Sequence, residues 1–134
     1  MAYTISATTK GGRNGRALLE NGGLGLAMGL QKELGGNGEG HNPEQLLALG
    51  WSACFGQAIL ALAKKHGLDG QDARVTCAVM IDKDETSFAL KAELKVSIPG
   101  ADKAKVQALV EDAHKICPYS RATRNNVPVT LTVV

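Results

Sequence analysis

The sequence is poor in aromatic residues and in net charge, and both shortages exclude classes of partner. It contains one Trp, two Tyr and two Phe, and its formal net charge is +2 at pH 7. Nucleic-acid binding needs a strong positive field and aromatic side chains on which bases can stack. Because the chain lacks both, we predict no nucleic-acid partner.

Several binding motifs are also missing. The three cysteines, an odd number, form no C-x-x-C pair, and together with the three histidines they show no zinc-ligand spacing. No Walker lysine is present, and no G-x-G-x-x-G opens a helix directly after a strand, so the glycine-rich residues 35–41 are interpreted as a linker or mobile loop. The first residues resemble no signal peptide. We therefore expect a cytoplasmic protein with reduced cysteines, no metal and no bound cofactor.

What the chain does contain is ordinary for a globular protein. Of its 134 residues, 44% are hydrophobic and 21% are charged, which predicts a single domain over residues 1–134. Residues 46–63 are almost continuously apolar and approach the length of a membrane span. Because no second apolar segment or aromatic belt accompanies them, we interpret them as a buried core helix and predict no membrane association.

The periodicity of apolar residues predicts an α+β fold with antiparallel sheets and a long central helix. Alternation favours a small meander before residue 31, paired strands over residues 75–98 and a last strand over residues 127–134. Asn42, Pro43 and Gln45 form a helix start of the capping-box type, and that helix should stop at Gly67. A second, amphipathic helix should end near Cys117, because the following proline disfavours helical geometry there.

The long helix has a bearing on assembly. About 24 residues at 1.5 Å each give roughly 36 Å, and both faces of this helix are apolar. A subunit of this size cannot easily cover such a helix alone, so we predict a homodimer. A monomeric mass by light scattering at micromolar concentration would contradict that prediction.

Two cysteines are candidates for chemistry. Cys54 lies within the long helix, with Gly50 one turn before it and Ala58 one turn after, so small residues leave room for a group to approach the sulfur. The alternative is an inert, buried cysteine, which is common in protein cores. Cys117 lies at a helix-to-loop junction, whereas Cys77 belongs to the apolar set of a strand and is interpreted as structural.

Charged residues give weaker signals. Arg13 and Arg16 stand in the turn GGRNGR, and residues three apart on an extended chain point to opposite faces, so at most one of them can face a shared pocket. Glu44 occupies the first turn of the long helix, where the helix dipole favours a carboxylate whatever its function. The residues alone do not choose between the two arginines.

Taken together, three segments resemble a known family. GGRNGR, GHNPEQLLALGWSACF and KICPYSRATRNN occur in the order typical of the organic hydroperoxide resistance family, a branch of the OsmC superfamily. The resemblance covers the whole chain and implies an OsmC-like fold in an intertwined homodimer. Two departures are small. Asn125-Asn126 stands where a glycine is common, and asparagine tolerates a positive φ. Arg121 replaces a residue that is often polar, which concerns the rim of the pocket.

The resemblance implies an enzyme, a thiol peroxidase that reduces alkyl and fatty-acid hydroperoxides to alcohols with lipoylated proteins as reductant. Carried over residue by residue, Cys54 is the peroxidatic thiol and Cys117 the resolving thiol. Arg13 and Glu44 match the family's paired activating residues. We further expect an apolar pocket lined by side chains near Cys54, which would favour organic hydroperoxides over hydrogen peroxide. Its candidate residues are Trp51, Phe55 and Tyr119.

Helix geometry adds a prediction about the composition of the site. Glu44 and Cys54 lie ten residues apart on one predicted helix, hence about 15 Å along its axis. They cannot meet within a straight helix. Unless the first turn bends away, Arg13 and Glu44 reach the Cys54 of the other subunit, and we favour such a composite site at the dimer interface.

Two other functions compete with this interpretation. A different thiol chemistry, such as disulfide reduction or acyl transfer, predicts little reaction of Cys54 with peroxide. A non-catalytic dimeric binder of fatty acids or similar apolar ligands predicts that Cys54→Ser binds its ligand normally and that no turnover occurs. The pairing of Cys54 with Cys117 argues against the binder, which needs neither thiol.

Overall fold

A three-stranded antiparallel sheet opens the chain. The computed structural model describes all residues, 1–134, and divides them into two compact units, Met1–Gln45 and Leu46–Val134. In the first unit the strands pair in chain order, β1 (Ala7–Lys10), β2 (Arg16–Leu19) and β3 (Gly25–Ala27). The predicted meander is confirmed. Tyr3, Ile5 and Ala7 alternate with polar or small residues in the sequence, but Tyr3 and Ile5 lie before β1 and are exposed.

The glycine-rich residues 35–41 are tied into the first unit by backbone hydrogen bonds. The Gly36 N–H donates to the Gln31 carbonyl at 3.0 Å, and the His41 N–H donates to the Ala27 carbonyl at 3.0 Å. The predicted loop without a strand period is confirmed, and these bonds hold it against the backbone of residues 27–31. Main-chain hydrogen bonds do not depend on hydrophobic periodicity, so the sequence pattern does not predict them.

Helix α1 (Pro43–Ala63) begins and ends as predicted. The Asn42 Oδ1 accepts from the Gln45 N–H at 2.9 Å, and the Gln45 Oε1 accepts from the Asn42 N–H at 3.2 Å, which completes the capping box. A 3₁₀ turn over Lys64–His66 follows α1, and Gly67 ends it in the left-handed region at φ 70°.

The second unit contains the rest of α1, a second sheet and two further helices. Its elements in chain order are β4 (Arg74–Lys83), β5 (Phe88–Ser97), α2 (Lys103–Ile116), α3 (Pro118–Thr123) and β6 (Val129–Val133). Strands β4 and β5 form the predicted antiparallel hairpin, with alternate residues turned inward. The α+β class is confirmed.

Strand β6 departs from the expected antiparallel pairing, because it runs parallel to β5. The chain between the two strands passes through α2 and α3, and a crossover of this length is the connection that parallel strands require. Helix α3 was not predicted from the sequence. Its six residues are too few to show a helical period.

One face of helix α1 is buried and another is exposed, although the helix is apolar on both. Trp51, Phe55 and Ile59, spaced four residues apart, are fully buried in the core of the second unit. Leu49 and Leu60 are 67% and 41% exposed. By length and composition the helical segment 43–66 could cross a membrane. One face of that segment packs into the core of the second unit.

Candidate active site

The structure brings two cysteines from distant parts of the sequence together. The Cys54 Sγ on α1 lies 3.6 Å from the Cys117 Sγ, although the residues are 63 positions apart. Both thiols are free; Cys54 is half-buried and Cys117 is buried. Cys117 caps the end of α2, where its N–H still donates to the Ala113 carbonyl at 2.9 Å before the chain turns into Pro118. The two sulfurs are therefore near enough for chemistry between them.

The space beside Cys54 that the sequence suggested is occupied by Tyr119. A Cβ atom at Gly50 would lie 2.6 Å from the Tyr119 hydroxyl oxygen and 3.1 Å from its ring. Glycine inside a helix costs about 1 kcal/mol relative to alanine. Here its lack of a side chain lets the Tyr119 ring lie directly on the backbone of α1, one turn before Cys54.

A buried hydrogen bond joins α1 to α3 next to the two thiols. The Trp51 Nε1–H donates to the Ser120 Oγ at 3.4 Å, and both side chains are fully buried. Sequence reasoning missed Ser120. The available signal was that a buried tryptophan N–H usually needs an acceptor, and that this serine follows Cys117 by three residues.

The three side chains expected to line an apolar pocket lie in different surroundings. Trp51 and Phe55 are fully buried in the core, and the Phe55 ring packs near that of His114 with centroids 6.5 Å apart. Tyr119 is 38% exposed. Of the three, only Tyr119 presents surface to solvent, and a role for any of them as a pocket wall stays a prediction.

The surroundings of Cys54 within the second unit disfavour its thiolate. Burial raises the pKa of the Cys54 thiol, the neighbouring Cys117 thiol adds to that rise, and a hydrogen bond from the Tyr119 backbone N–H opposes it. Burial likewise raises the pKa of Cys77 to about 11, which agrees with a structural role on the inward face of β4. A reactive Cys54 therefore needs a positive charge.

The first unit contains a paired arginine and carboxylate. The Arg13 Nη1 donates to the Glu44 Oε2 at 2.9 Å, and the Arg13 Nη2 donates to the Glu44 Oε1 at 2.8 Å. This bidentate geometry is the strong form of a charge-assisted pair. Arg13 lies in the 3₁₀ turn Gly12–Asn14, which the left-handed backbone at Gly11, φ 82°, makes possible.

A third side chain completes this pair and was missed from the sequence. The Gln31 Nε2 donates to the Glu44 Oε2 at 3.0 Å. The bond from Arg13 has the largest effect on the pKa of Glu44 and lowers it. Burial raises that pKa, and the bond from Gln31 lowers it. The two hydrogen bonds outweigh burial and hold the pKa of Glu44 at about 2. Arg16 lies exposed on β2 beside Gly25 and donates no hydrogen bond to Glu44.

Comparison with known proteins identifies the family. A family model described as OsmC-like protein matches residues 36–132. An organic hydroperoxide resistance protein of Xanthomonas axonopodis pv. citri is 44% identical over 133 residues, covering 98% of this chain and 94% of that protein. This chain belongs to the organic hydroperoxide resistance family of OsmC-like proteins. The resemblance seen in its cysteine motifs is thereby confirmed.

Solved structures of organic hydroperoxide resistance proteins share the fold. The protein of Legionella pneumophila is 40% identical, with a TM-score of 0.92 over 99% of this chain and 98% of its own. OhrB of Bacillus subtilis is 37% identical, with a TM-score of 0.89 over 98% of each chain. The OsmC-like fold is confirmed, and membership of this family assigns the chain to organic hydroperoxide resistance with a peroxidase-type activity.

Proposed function

We propose that this protein is a thiol-dependent peroxidase that reduces organic hydroperoxides to alcohols through Cys54 and Cys117. The observation that carries the proposal is the 3.6 Å separation of two free thiols, one half-buried and one buried. A disulfide needs the sulfurs about 2.05 Å apart. Small side-chain rotations of Cys54 and Cys117 would therefore join them.

The proposed cycle balances in three steps. The Cys54 thiolate attacks the O–O bond of the hydroperoxide, forming sulfenic acid and releasing an alkoxide that takes up a proton as the alcohol. The Cys117 thiol then attacks the sulfenic sulfur, forming the Cys54–Cys117 disulfide and releasing water. A dithiol transfers two electrons and two protons to restore both thiols. Following the family resemblance, we propose that this dithiol is a dihydrolipoyl group on a lipoylated protein of the cytoplasm.

Arg13 is proposed to supply the positive charge that Cys54 needs, with Glu44 fixing its guanidinium. Burial raises the pKa of Cys54, and a free thiol is only a few per cent thiolate at neutral pH even without that rise. A nearby guanidinium favours the thiolate, each unit of pKa depression being worth about 1.4 kcal/mol.

The pH dependence of Cys54 alkylation tests this role of Arg13. We expect the midpoint for iodoacetamide labelling of Cys54 in the wild-type protein to lie at least about one pH unit below that of Arg13→Gln. Arg16→Gln is the matched control, because that arginine makes no bond to Glu44, and it should leave the midpoint unchanged. Equal midpoints for the wild type and Arg13→Gln would remove Arg13 from the mechanism.

A homodimer remains part of the proposal. Leu49 and Leu60 lie on the exposed face of α1, and burying large apolar side chains is worth about 1.5–3 kcal/mol each. A second copy of the chain would supply the cover. The light-scattering mass described above decides this point.

The cycle itself is tested by intact mass and non-reducing peptide mapping. After one equivalent of cumene hydroperoxide, we expect a loss of 2 Da that maps to a Cys54–Cys117 crosslink and is reversed by dihydrolipoamide. Survival of both thiols would contradict the peroxidase and favour the binder of apolar ligands. A crosslink that dihydrolipoamide leaves intact would support the peroxidase and contradict the lipoyl reductant.

A further inference from the structure

We infer that Gln31 is a positioning residue for Glu44 and Arg13, presented to them by the glycine-rich loop over residues 35–41. The inference rests on the proposed function, because it assigns Gln31 a role in the activation of Cys54. The loop matches no phosphate-binding motif, and its role in the first unit would be to hold the backbone that carries Gln31.

The contacts on the Glu44 carboxylate carry the inference. The Glu44 Oε2 accepts from two donors, the Arg13 Nη1 at 2.9 Å and the Gln31 Nε2 at 3.0 Å. The bidentate pair fixes the guanidinium relative to the carboxylate, but it leaves the two side chains free to move together. The Gln31 amide connects the Arg13–Glu44 pair to a backbone segment outside both the Arg13 turn and α1.

The orientation of the Gln31 amide is fixed by its partner. With the amide reversed, its oxygen would face the carboxylate of Glu44, and two acceptors would repel each other. In the observed orientation the Gln31 Oε1 is buried and has no hydrogen-bond partner. An unpaired buried acceptor is destabilising. The amide thus makes its bond to the charged Glu44 carboxylate while its own oxygen stays unpaired.

The loop sets the position of Gln31 by folding back on it. A Cβ at Gly36 would lie 1.9 Å from the Leu30 carbonyl oxygen, and a Cβ at Gly40 would lie 2.3 Å from the Gly29 nitrogen. Only glycine permits these backbone approaches without a shift. The two residues before Gln31 are thereby held against the loop, which fixes where its amide can reach.

Replacing the amide by a side chain of similar length without a donor tests the inference. In Gln31→Met we expect the pKa of Glu44, followed by carboxyl carbon NMR, to rise by about one unit, because one of the hydrogen bonds to the charged form is lost. We also expect kcat/KM for cumene hydroperoxide to fall about fivefold to tenfold, with KM nearly unchanged. Gln107→Met is the matched control, because Gln107 is half-buried on α2 and its amide likewise donates to a carboxylate, that of Glu111, at 3.0 Å.

Two results would overturn the inference. An unchanged Glu44 titration in Gln31→Met would show that the amide does not hold the carboxylate. A shifted titration with unchanged kcat/KM would show that Gln31 is structural only. Failure of the proposed function is distinguishable from these results. In that case the wild-type protein itself would not turn over cumene hydroperoxide, which is measured before any variant is made.

Discussion

Replacing Cys54 by serine should lower the turnover of cumene hydroperoxide by at least about a thousandfold, to the level of the uncatalysed reaction. A serine hydroxyl is a weak nucleophile at neutral pH, and no sulfenic acid can form on it. The measurement is hydroperoxide consumption coupled to dihydrolipoamide oxidation. Cys77→Ser is the matched control, because that thiol lies on the inward face of β4 with a pKa raised to about 11, and it should retain wild-type activity.

The variant Cys117→Ser separates the two thiol roles. Cys54 should still reduce one equivalent of hydroperoxide, because the peroxidatic step does not use Cys117. The sulfenic acid should then persist and accept dimedone, since the thiol 3.6 Å away is gone. Steady turnover at the wild-type rate in Cys117→Ser would contradict a Cys54–Cys117 disulfide. Loss of the first turnover would contradict the assignment of Cys54 as the residue attacked by peroxide.

Replacing Glu44 by glutamine should destabilise the protein in a pH-dependent way. The pKa of Glu44 lies at about 2, against an ordinary 4.5, mainly because Arg13 binds the charged form. A difference of this size corresponds to at most about 3 kcal/mol of unfolding free energy. Because the Arg13 side chain is 38% exposed and solvent screens it, we expect a smaller loss, about 1–2 kcal/mol at pH 7.

The direction of the pH effect follows from the lowered pKa. The contribution of Glu44 is fully present above its unfolded pKa and is lost as the pH falls from about 4.5 toward about 2. Urea unfolding of the wild type and Glu44→Gln should therefore differ most near neutral pH and converge in acid. Glu39→Gln, an exposed carboxylate of the first unit, is the control. A stability difference that stays constant from pH 7 to pH 3 would contradict this account.

Local chemistry explains which parts of the fold were predictable. The capping box at Asn42, the stop at Gly67 and the alternating strands β4 and β5 depend on residues close together in the sequence, so their patterns were sufficient. The direction of β6 was not predictable in this way. It depends on where the crossover through α2 returns to the sheet, which no periodicity records.

The residues of the candidate site were predicted only in part. Family resemblance selected Cys54 and Cys117, but spacing alone did not show that their sulfurs meet, because 63 residues separate them. The positive φ of Asn125, 63°, was anticipated from its replacement of a glycine. Gln31 and Ser120 were missed because each acts through one side-chain hydrogen bond across the fold, and single polar residues in loops or short helices carry no pattern.

The bond between Trp51 and Ser120 gives the protein an intrinsic optical label. Trp51 is the one tryptophan of the chain, so all indole emission comes from a position three residues before Cys54. Its N–H is bonded to a residue three positions after Cys117. A disulfide between Cys54 and Cys117 would form beside this bond and change the surroundings of the indole. Each oxidation and reduction of the thiol pair can therefore be followed in stopped-flow fluorescence without a dye or an engineered probe.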